Sequence, residues 1–193
     1  MDPGYTFVLI LGKARSGKTT LEEQYLRAAI ESGRAVKIVD NKAQFPPGSL
    51  PGGYCSEFPG VDNIEDWLAD LLRSQWEGDL CFDDMDLYSD SFVRKGSPFR
   101  VLFTEYRHHR ISIRASTRRF QEIPTLARTN TTHYALFRTE GHNMREAIKR
   151  ELGQETLDKV PTKPFRYLLL DRDADTAVVY ATRARATKTR ADF

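Results

Sequence analysis

A run of eight residues near the start of the chain has the spacing of a phosphate-binding loop. Residues 12–19 have the sequence GKARSGKT, which matches the pattern G-x-x-x-x-G-K-[S/T]. Glycines at the first and sixth positions let the backbone wrap, so that successive N–H groups point at phosphate oxygens. The lysine then reaches the β- and γ-phosphates, and the hydroxyl after it binds Mg²⁺. The candidate nucleotide-binding residues are Gly12, Lys13, Ala14, Arg15, Ser16, Gly17, Lys18, Thr19 and Thr20.

Two adjacent aspartates are the second chemical feature of the sequence. Asp83 and Asp84 directly follow the apolar run Leu80–Phe82, and the tip of a strand beside the phosphate loop is where a nucleotide site needs acids. We expect Asp83 to hold Mg²⁺ together with Thr19, and Asp84 to polarise the attacking water. The base is usually a glutamate, so Asp84 is one methylene short. Its alternative role is to cap a helix that begins at Met85.

Alternating strand and helix patterns predict how these groups are positioned. An apolar run at 5–11 predicts a buried strand before the loop, and apolar residues at helical spacing predict a helix over 18–32. Further strands are predicted at 35–39, 79–82, 111–115 and 132–137, further helices at 63–76, 98–109 and 142–152, and a hairpin at 165–170 and 177–181. Residues 41–60, rich in proline and glycine, predict an irregular loop.

This order predicts an α/β fold, and together with the phosphate loop and the two aspartates it resembles a P-loop NTPase of the RecA-like, additional-strand type. The expected core is a central, mainly parallel sheet with helices on both faces and a C-terminal β-hairpin. Residues 1–182 are expected to form a single domain, and residues 183–193 a basic, flexible tail.

Composition excludes several classes of protein. The chain has 193 residues, of which 40% are hydrophobic and 29% charged, which fits a globular domain with a full core. We expect neither a signal peptide nor a membrane span, because no apolar run approaches the roughly 20 residues that a span needs. Two cysteines, Cys55 and Cys81, cannot form a disulfide framework.

Positive charge is concentrated in one segment. Residues 94–128 contain nine basic and two acidic side chains, whereas residues 1–93 contain eight basic and sixteen acidic ones. Such a segment suggests contact with a polyanion. The alternatives are a solvated basic stripe, or arginines that pair with the acidic first half.

Part of that basic segment resembles a known family. Residues 106–119 have the sequence YRHHRISIRASTRR, similar to the R-x-x-x-I-x-hydrophobic-hydrophobic-x-T-Q-R-P strand and tip of the FtsK–HerA superfamily of DNA-pumping ATPases. With the phosphate loop and the Asp83–Asp84 pair, the likeness covers about residues 5–140. It is nearest to the genome-packaging ATPases of viruses with an internal membrane and a double-jelly-roll capsid.

The resemblance implies an ATPase that uses ATP and Mg²⁺ to move double-stranded DNA into a viral capsid. It implies a homo-oligomeric ring, usually of six subunits, docked on a capsid-vertex or internal-membrane protein, in the host cytoplasm or the virion. Arg107 matches the position expected for an arginine finger that completes a neighbour's site. Arg118 stands where the family has a glutamine that senses the γ-phosphate, Arg119 takes the next arginine position, and Phe120 replaces the proline. Either Arg118 or Arg119 is expected to contact a phosphate.

Two other functions remain open from the sequence. Many P-loop nucleoside and small-molecule kinases have about this length, and the arginines of residues 107–119 would then belong to a lid. The other alternative is a non-catalytic assembly protein that uses ATP as a switch.

Overall fold

One sheet organises the part of the chain that the structure describes. The computed structural model describes residues 4–40, 42–45, 49–51, 54–57, 60–92 and 94–182. Its strands are β1 (Phe7–Leu11), β2 (Val36–Val39), β3 (Tyr54–Glu57), β4 (Gly78–Phe82), β5 (Ile111–Thr117), β6 (His133–Phe137), β7 (Arg166–Asp171) and β8 (Thr176–Ala181). They lie in the order β3-β2-β4-β5-β1-β6-β7-β8. The first six in this order are parallel, β7 runs antiparallel to β6, and β8 runs antiparallel to β7.

Helices cover both faces of the sheet. They are α1 (Lys18–Glu31), α2 (Gly60–Arg73), α3 (Ser89–Phe92), α4 (Pro98–Glu105), α5 (Thr125–Asn130), α6 (His142–Leu152) and α7 (Gln154–Lys159). Strand β1 is buried on both sides, with Phe7, Leu9 and Leu11 in the core that includes residues of α2, α4, α5, α6 and α7. Its alternate residues Val8 and Ile10 pack with Leu21 of α1. A strand covered on both faces needs an apolar residue at every position, which is what the sequence of β1 supplies.

The predicted fold class is confirmed, with local corrections. Helix α6 has the predicted bounds, and the hairpin, the central strands and the long helices lie within a few residues of their predicted positions. The prediction of an irregular loop over 41–60 was wrong at Tyr54–Glu57, which forms the edge strand β3. The short helices α3, α5 and α7 were not predicted. The predicted basic tail, 183–193, lies outside the described residues.

A group of buried charged side chains links β4 and β5 to neighbouring segments at the edge of the sheet where the parallel strands begin. The Asp79 carboxylate of β4 pairs with Arg34 at 2.5 Å and with Arg114 of β5 at 3.2 Å. Arg114 also donates to the Thr6 hydroxyl and lies over the Tyr25 ring. These partners compensate the two charges that β4 and β5 bury. In the described part of the chain, no helix is both long and apolar enough to cross a bilayer.

Candidate nucleotide-binding site

The predicted phosphate loop lies at the carboxyl edge of the sheet, where the parallel strands end. It connects β1 to α1 and is tied on both sides, because the Gly12 N–H donates to Thr117 O of β5 and the Lys13 N–H donates to Arg138 O beyond β6. A Cβ on Gly12 would lie 2.6 Å from the Cβ of Phe137, so only glycine fits there. Gly17 precedes α1 with φ of 112°, a left-handed conformation that also favours glycine.

The loop presents a cation and a hydroxyl that fit phosphate. Lys18 is buried, and its Nζ donates to the carbonyl oxygens of Gly12 (3.0 Å) and Lys13 (3.1 Å). Burial lowers the pKa of Lys18, while the charge of Asp84 opposes that shift. The buried Ser16 hydroxyl has no hydrogen-bond partner among the described residues. The Lys18 ammonium and the Ser16 hydroxyl are both suited to bind phosphate oxygens. The start of α1 adds the positive end of the helix dipole at the same place.

One glutamine joins the two predicted magnesium ligands. The Thr19 hydroxyl donates to Gln44 Oε1 at 2.9 Å, and Gln44 Nε2 donates to Asp83 Oδ2 at 2.7 Å. A single amide group thus spans the gap between the hydroxyl of the loop and the carboxylate after β4. Both are hard oxygen donors, and Mg²⁺ is usually held by one or two such groups plus waters and substrate phosphates. Thr19 and Asp83 therefore fit the ion that the fold implies.

Buried carboxyl groups surround this position. Burial, the neighbouring Asp84 and Asp40 raise the pKa of Asp83 to about 6. Glu22 of α1 is fully buried, and burial together with the charge of Asp83 raises its pKa well above the usual range for glutamate. Buried groups with perturbed pKa values of this kind cluster at functional sites.

Asp84 lies between two cations. Its buried carboxylate pairs with Lys42, and Arg118 Nη2 lies 3.2 Å from Asp84 Oδ2. The Asp84 N–H donates to Ser116 Oγ at 3.0 Å, with φ of 50° at Asp84. Asp84 stands at the N-cap position of a 3₁₀ turn, Met85–Tyr88, but its side chain makes no capping hydrogen bond. The predicted base therefore faces the site, in contact with the arginine predicted to sense phosphate.

The other two predicted arginines lie elsewhere. Arg119 pairs locally with Glu122 at 3.0 Å and is largely exposed. Arg107 lies just before β5, at the opposite edge of the sheet from the phosphate loop. Its Nε donates to Tyr106 Oη at 3.0 Å beside a polar cavity of about 320 Å³ that Arg172 also lines. The seven residues of β5 separate the two edges by about 20 Å, so Arg107 does not reach the site of its own subunit.

The basic segment is neither a lid nor a continuous patch. Residues 111–117 of that segment form the buried strand β5, so the lid that a kinase would need at 107–119 is not present. Many of its arginines pair with carboxylates of the acidic first half; the pairs are Arg94–Glu65, Arg110–Glu77, Arg114–Asp79 and Arg118–Asp84. For these four arginines, the alternative prediction that arginines of the basic segment pair with the acidic first half is correct. Arg94, Arg107, Arg110 and Arg119 nevertheless remain more than half exposed.

Several residues of the site were not predicted. Lys42 and Gln44 follow β2 within the stretch expected to be irregular, where the buried Asp40 accepts hydrogen bonds from the N–H groups of Lys42 and Phe45. A carboxylate two residues before a chain reversal is a recognisable turn signal. Nothing in the local sequence indicates that Gln44 reaches Thr19 and Asp83, because those contacts join residues far apart in the chain.

Comparisons with solved structures identify the fold. The chain is similar to the genome-packaging NTPase B204 of Sulfolobus turreted icosahedral virus 2 in complex with ATPγS, with a TM-score of 0.78 and 16% identity over 93% of this chain and 98% of that one. It is similar to B204, the DNA-packaging ATPase of Sulfolobus turreted icosahedral virus, with a TM-score of 0.76 and 18% identity over 95% of this chain and 100% of that one.

A third similar structure is the pCW3 conjugation coupling protein TcpA with ATPγS, with a TM-score of 0.73 and 14% identity over 94% of this chain and 61% of that one. No protein-family model matches the sequence, and no curated protein matches it. The structural similarities confirm the fold that the resemblance to the FtsK–HerA superfamily implied.

Proposed function

We propose that the protein hydrolyses ATP with Mg²⁺ and uses the energy to move double-stranded DNA into a viral capsid. The observation that supports hydrolysis most directly is the arrangement at the carboxyl edge. There Gln44 joins Thr19 to Asp83, and Asp84 lies beside them with Arg118. These are the groups needed to hold a triphosphate, its metal ion and an attacking water.

Each residue has a part in the proposed reaction. Lys18 and the N–H groups of the loop bind the phosphates, and Thr19 with Asp83 would hold Mg²⁺, which neutralises the charge that develops on the phosphate oxygens. Asp84 orients the attacking water and accepts its proton. Arg118 contacts Asp84 at 3.2 Å, so the same guanidinium can move from the carboxylate to the γ-phosphate as the nucleotide is bound.

Assembly into a ring, of six subunits as the resemblance implies, would complete the site. Because Arg107 lies at the edge opposite its own phosphate loop, it can serve as an arginine finger only for a neighbouring subunit. The Arg107 side chain is more than half exposed, with Asp173 at 4.0 Å, and is therefore available to a neighbour. Arginine suits this role because its planar fork keeps its charge and offers several donors.

DNA packaging rests on the exposed arginines and on the structural relatives. B204 of the two viruses is described as a genome-packaging or DNA-packaging enzyme, and TcpA as a conjugation coupling protein. A capsid-vertex or internal-membrane protein would dock the ring, in the host cytoplasm or in the virion. Contacts to phosphate by arginine make duplex binding indifferent to sequence and strongly dependent on salt.

The test is ATP hydrolysis with and without non-specific duplex DNA, over a range of protein and salt concentrations. We expect a rate per subunit that rises with protein concentration and with DNA, and a DNA affinity that falls steeply with salt. The Asp84→Asn variant should bind ATP normally and lose at least about 100-fold in hydrolysis rate. A wild-type rate indifferent to both DNA and protein concentration would contradict the DNA motor, and normal hydrolysis by Asp84→Asn would contradict the assigned base.

A further inference from the structure

An exposed aromatic side chain lies directly against the phosphate loop. Phe165 is about half exposed, and its Cδ1 lies 3.0 Å from the position that a Cβ on Gly17 would occupy. The Phe165 N–H donates to Ser16 O at 2.8 Å, and Phe165 O accepts from the Thr182 N–H at 2.9 Å. The hairpin therefore fixes this residue to the loop that is proposed to bind phosphate.

The backbone of Phe165 is strained. Its φ is 58°, in the left-handed region where a bulky side chain is a genuine outlier. A conformation of this kind persists only where the surrounding structure imposes it, and such residues cluster at ligand sites. The hydrogen bonds to Ser16 and Thr182 hold Phe165 in this conformation, although a glycine or asparagine there would avoid the strain.

Phe165 lies on the far side of the loop from the magnesium ligands. Across the carboxyl edge, Asp83 follows β4, the phosphate loop follows β1, and Phe165 precedes the antiparallel strand β7, which begins at this same edge. A triphosphate with its γ end near Asp83 and its β-phosphate on the loop therefore directs its ribose and base toward β6 and β7. Among the described residues, Phe165 is an exposed aromatic residue that adjoins the loop on that side.

We propose that Phe165 is the platform on which the base of the bound nucleotide stacks. The proposal rests on the nucleotide binding proposed above and adds how the base is recognised. Stacking uses the π-face that every base has, without a hydrogen-bond pattern. The preferred ligands are purine nucleotides, whose larger rings cover more of the phenyl face, with little discrimination between ATP and GTP.

The test compares ATP with inorganic tripolyphosphate, which has the phosphates and no base. Binding of each, with Mg²⁺, is measured by calorimetry on the 193-residue chain. The variant Phe165→Gly removes the ring and also relieves the left-handed strain, so the fold is retained. Asp175→Gly is the matched control, because Asp175 also has a positive φ, of 50°, but lies between β7 and β8 in the turn at the other end of the hairpin. A second variant, Phe165→Trp, keeps the stacking face and provides a fluorescent reporter.

We expect Phe165→Gly to weaken ATP and GTP binding about tenfold and to leave tripolyphosphate binding unchanged. Asp175→Gly should change neither, and Phe165→Trp should bind ATP at least as tightly, with quenching by ATP and none by tripolyphosphate. Equal weakening of ATP and tripolyphosphate would show that Phe165 only supports the loop, and unchanged ATP binding would place the base elsewhere; either result overturns the proposal. If wild type binds neither ligand, the proposed function itself fails, which is a different result.

Discussion

At the scale of single residues, Gln44 forms hydrogen bonds with both of the groups that are proposed to hold Mg²⁺. Its amide accepts from the Thr19 hydroxyl and donates to one Asp83 oxygen. The Thr19 hydroxyl donates its hydrogen to Gln44 and keeps its oxygen lone pairs free, so the competition with a metal ion is for Asp83 Oδ2, which accepts from Gln44 Nε2. Metal binding through Asp83 Oδ2 would therefore break the hydrogen bond from Gln44 Nε2, at the cost of that one bond.

Replacing Gln44 by alanine removes this competition. We expect Gln44→Ala to lower the Mg²⁺ concentration needed for half-maximal ATP binding by about fivefold, corresponding to about 1 kcal/mol for the hydrogen bond to Asp83 that no longer has to be broken. Titrating Mg²⁺ at a fixed concentration of a fluorescent ATP analogue measures the effect. Gln154→Ala, at an exposed glutamine of α7, is the control. A higher Mg²⁺ requirement in Gln44→Ala would mean that Gln44 assists the ion.

Glu22 makes the stability of the protein depend on pH. Burial, and next the charge of Asp83, raise the pKa of Glu22 well above its usual value in the folded protein. The folded state therefore binds the proton more tightly than the unfolded chain does. The stabilisation of the folded state that comes from this more tightly bound proton is complete below about pH 4.5. It is lost as the pH rises toward the folded-state pKa of Glu22, by up to about 1.4 kcal/mol per pH unit.

The variant Glu22→Gln keeps the shape of this side chain and removes its titration. We expect its free energy of unfolding to exceed that of wild type at pH 8, with the gain shrinking as the pH falls to 5. Urea unfolding at several pH values measures this, with Glu31→Gln, an exposed residue of the same helix, as control. A gain that does not change with pH would contradict a raised pKa of Glu22.

At the scale of elements, the sequence predicted what depends on local patterns. The continuous apolar run of β1 and the glycine spacing of the loop identified the fold, because the run specifies a strand buried on both faces and the spacing specifies a phosphate-binding loop. Strand β3 could not be predicted, since Tyr54–Glu57 lies among prolines and glycines and becomes a strand only by pairing with β2. The contacts of Gln44, Lys42 and Phe165 join distant segments, and no local periodicity specifies them.

The junction of β4 and β5 depends on the buried Asp79. Its carboxylate is 5% exposed and compensates Arg34 and Arg114, the latter 13% exposed. Removing one partner of a buried pair leaves a charge without compensation. We expect Asp79→Ala to lower the free energy of unfolding by about 3 kcal/mol, measured by urea denaturation. Asp70→Ala, which breaks the exposed pair with Arg73, should cost less than about 1 kcal/mol. Equal losses would contradict a structural role of the buried pair.

At the scale of the whole molecule, the two edges of the sheet separate the residues that are proposed to form one active site. Lys18 and Asp84 lie at the carboxyl edge and Arg107 at the amino edge, about 20 Å away. In the proposed ring, head-to-tail assembly would bring the amino edge of one subunit to the carboxyl edge of the next. The proposed site at such an interface would be complete when one subunit supplies Lys18 and its neighbour supplies Arg107, even if the first subunit lacks Arg107 and the second lacks Lys18.

Mixing two inactive variants tests this arrangement. We expect Lys18→Ala, which lacks the phosphate lysine, and Arg107→Ala, which lacks the finger, each to lose at least about 100-fold in ATP hydrolysis. An equimolar mixture should recover activity, because at about one interface in four an intact Lys18 site faces an intact Arg107. Dilution should abolish the recovery, since it depends on assembly. A mixture no more active than its components, with assembly verified by light scattering, would exclude Arg107 as a finger in trans. Mixing Lys18→Ala with Asp84→Asn is the control: both lesions lie in the same site, so no interface regains a complete set of groups.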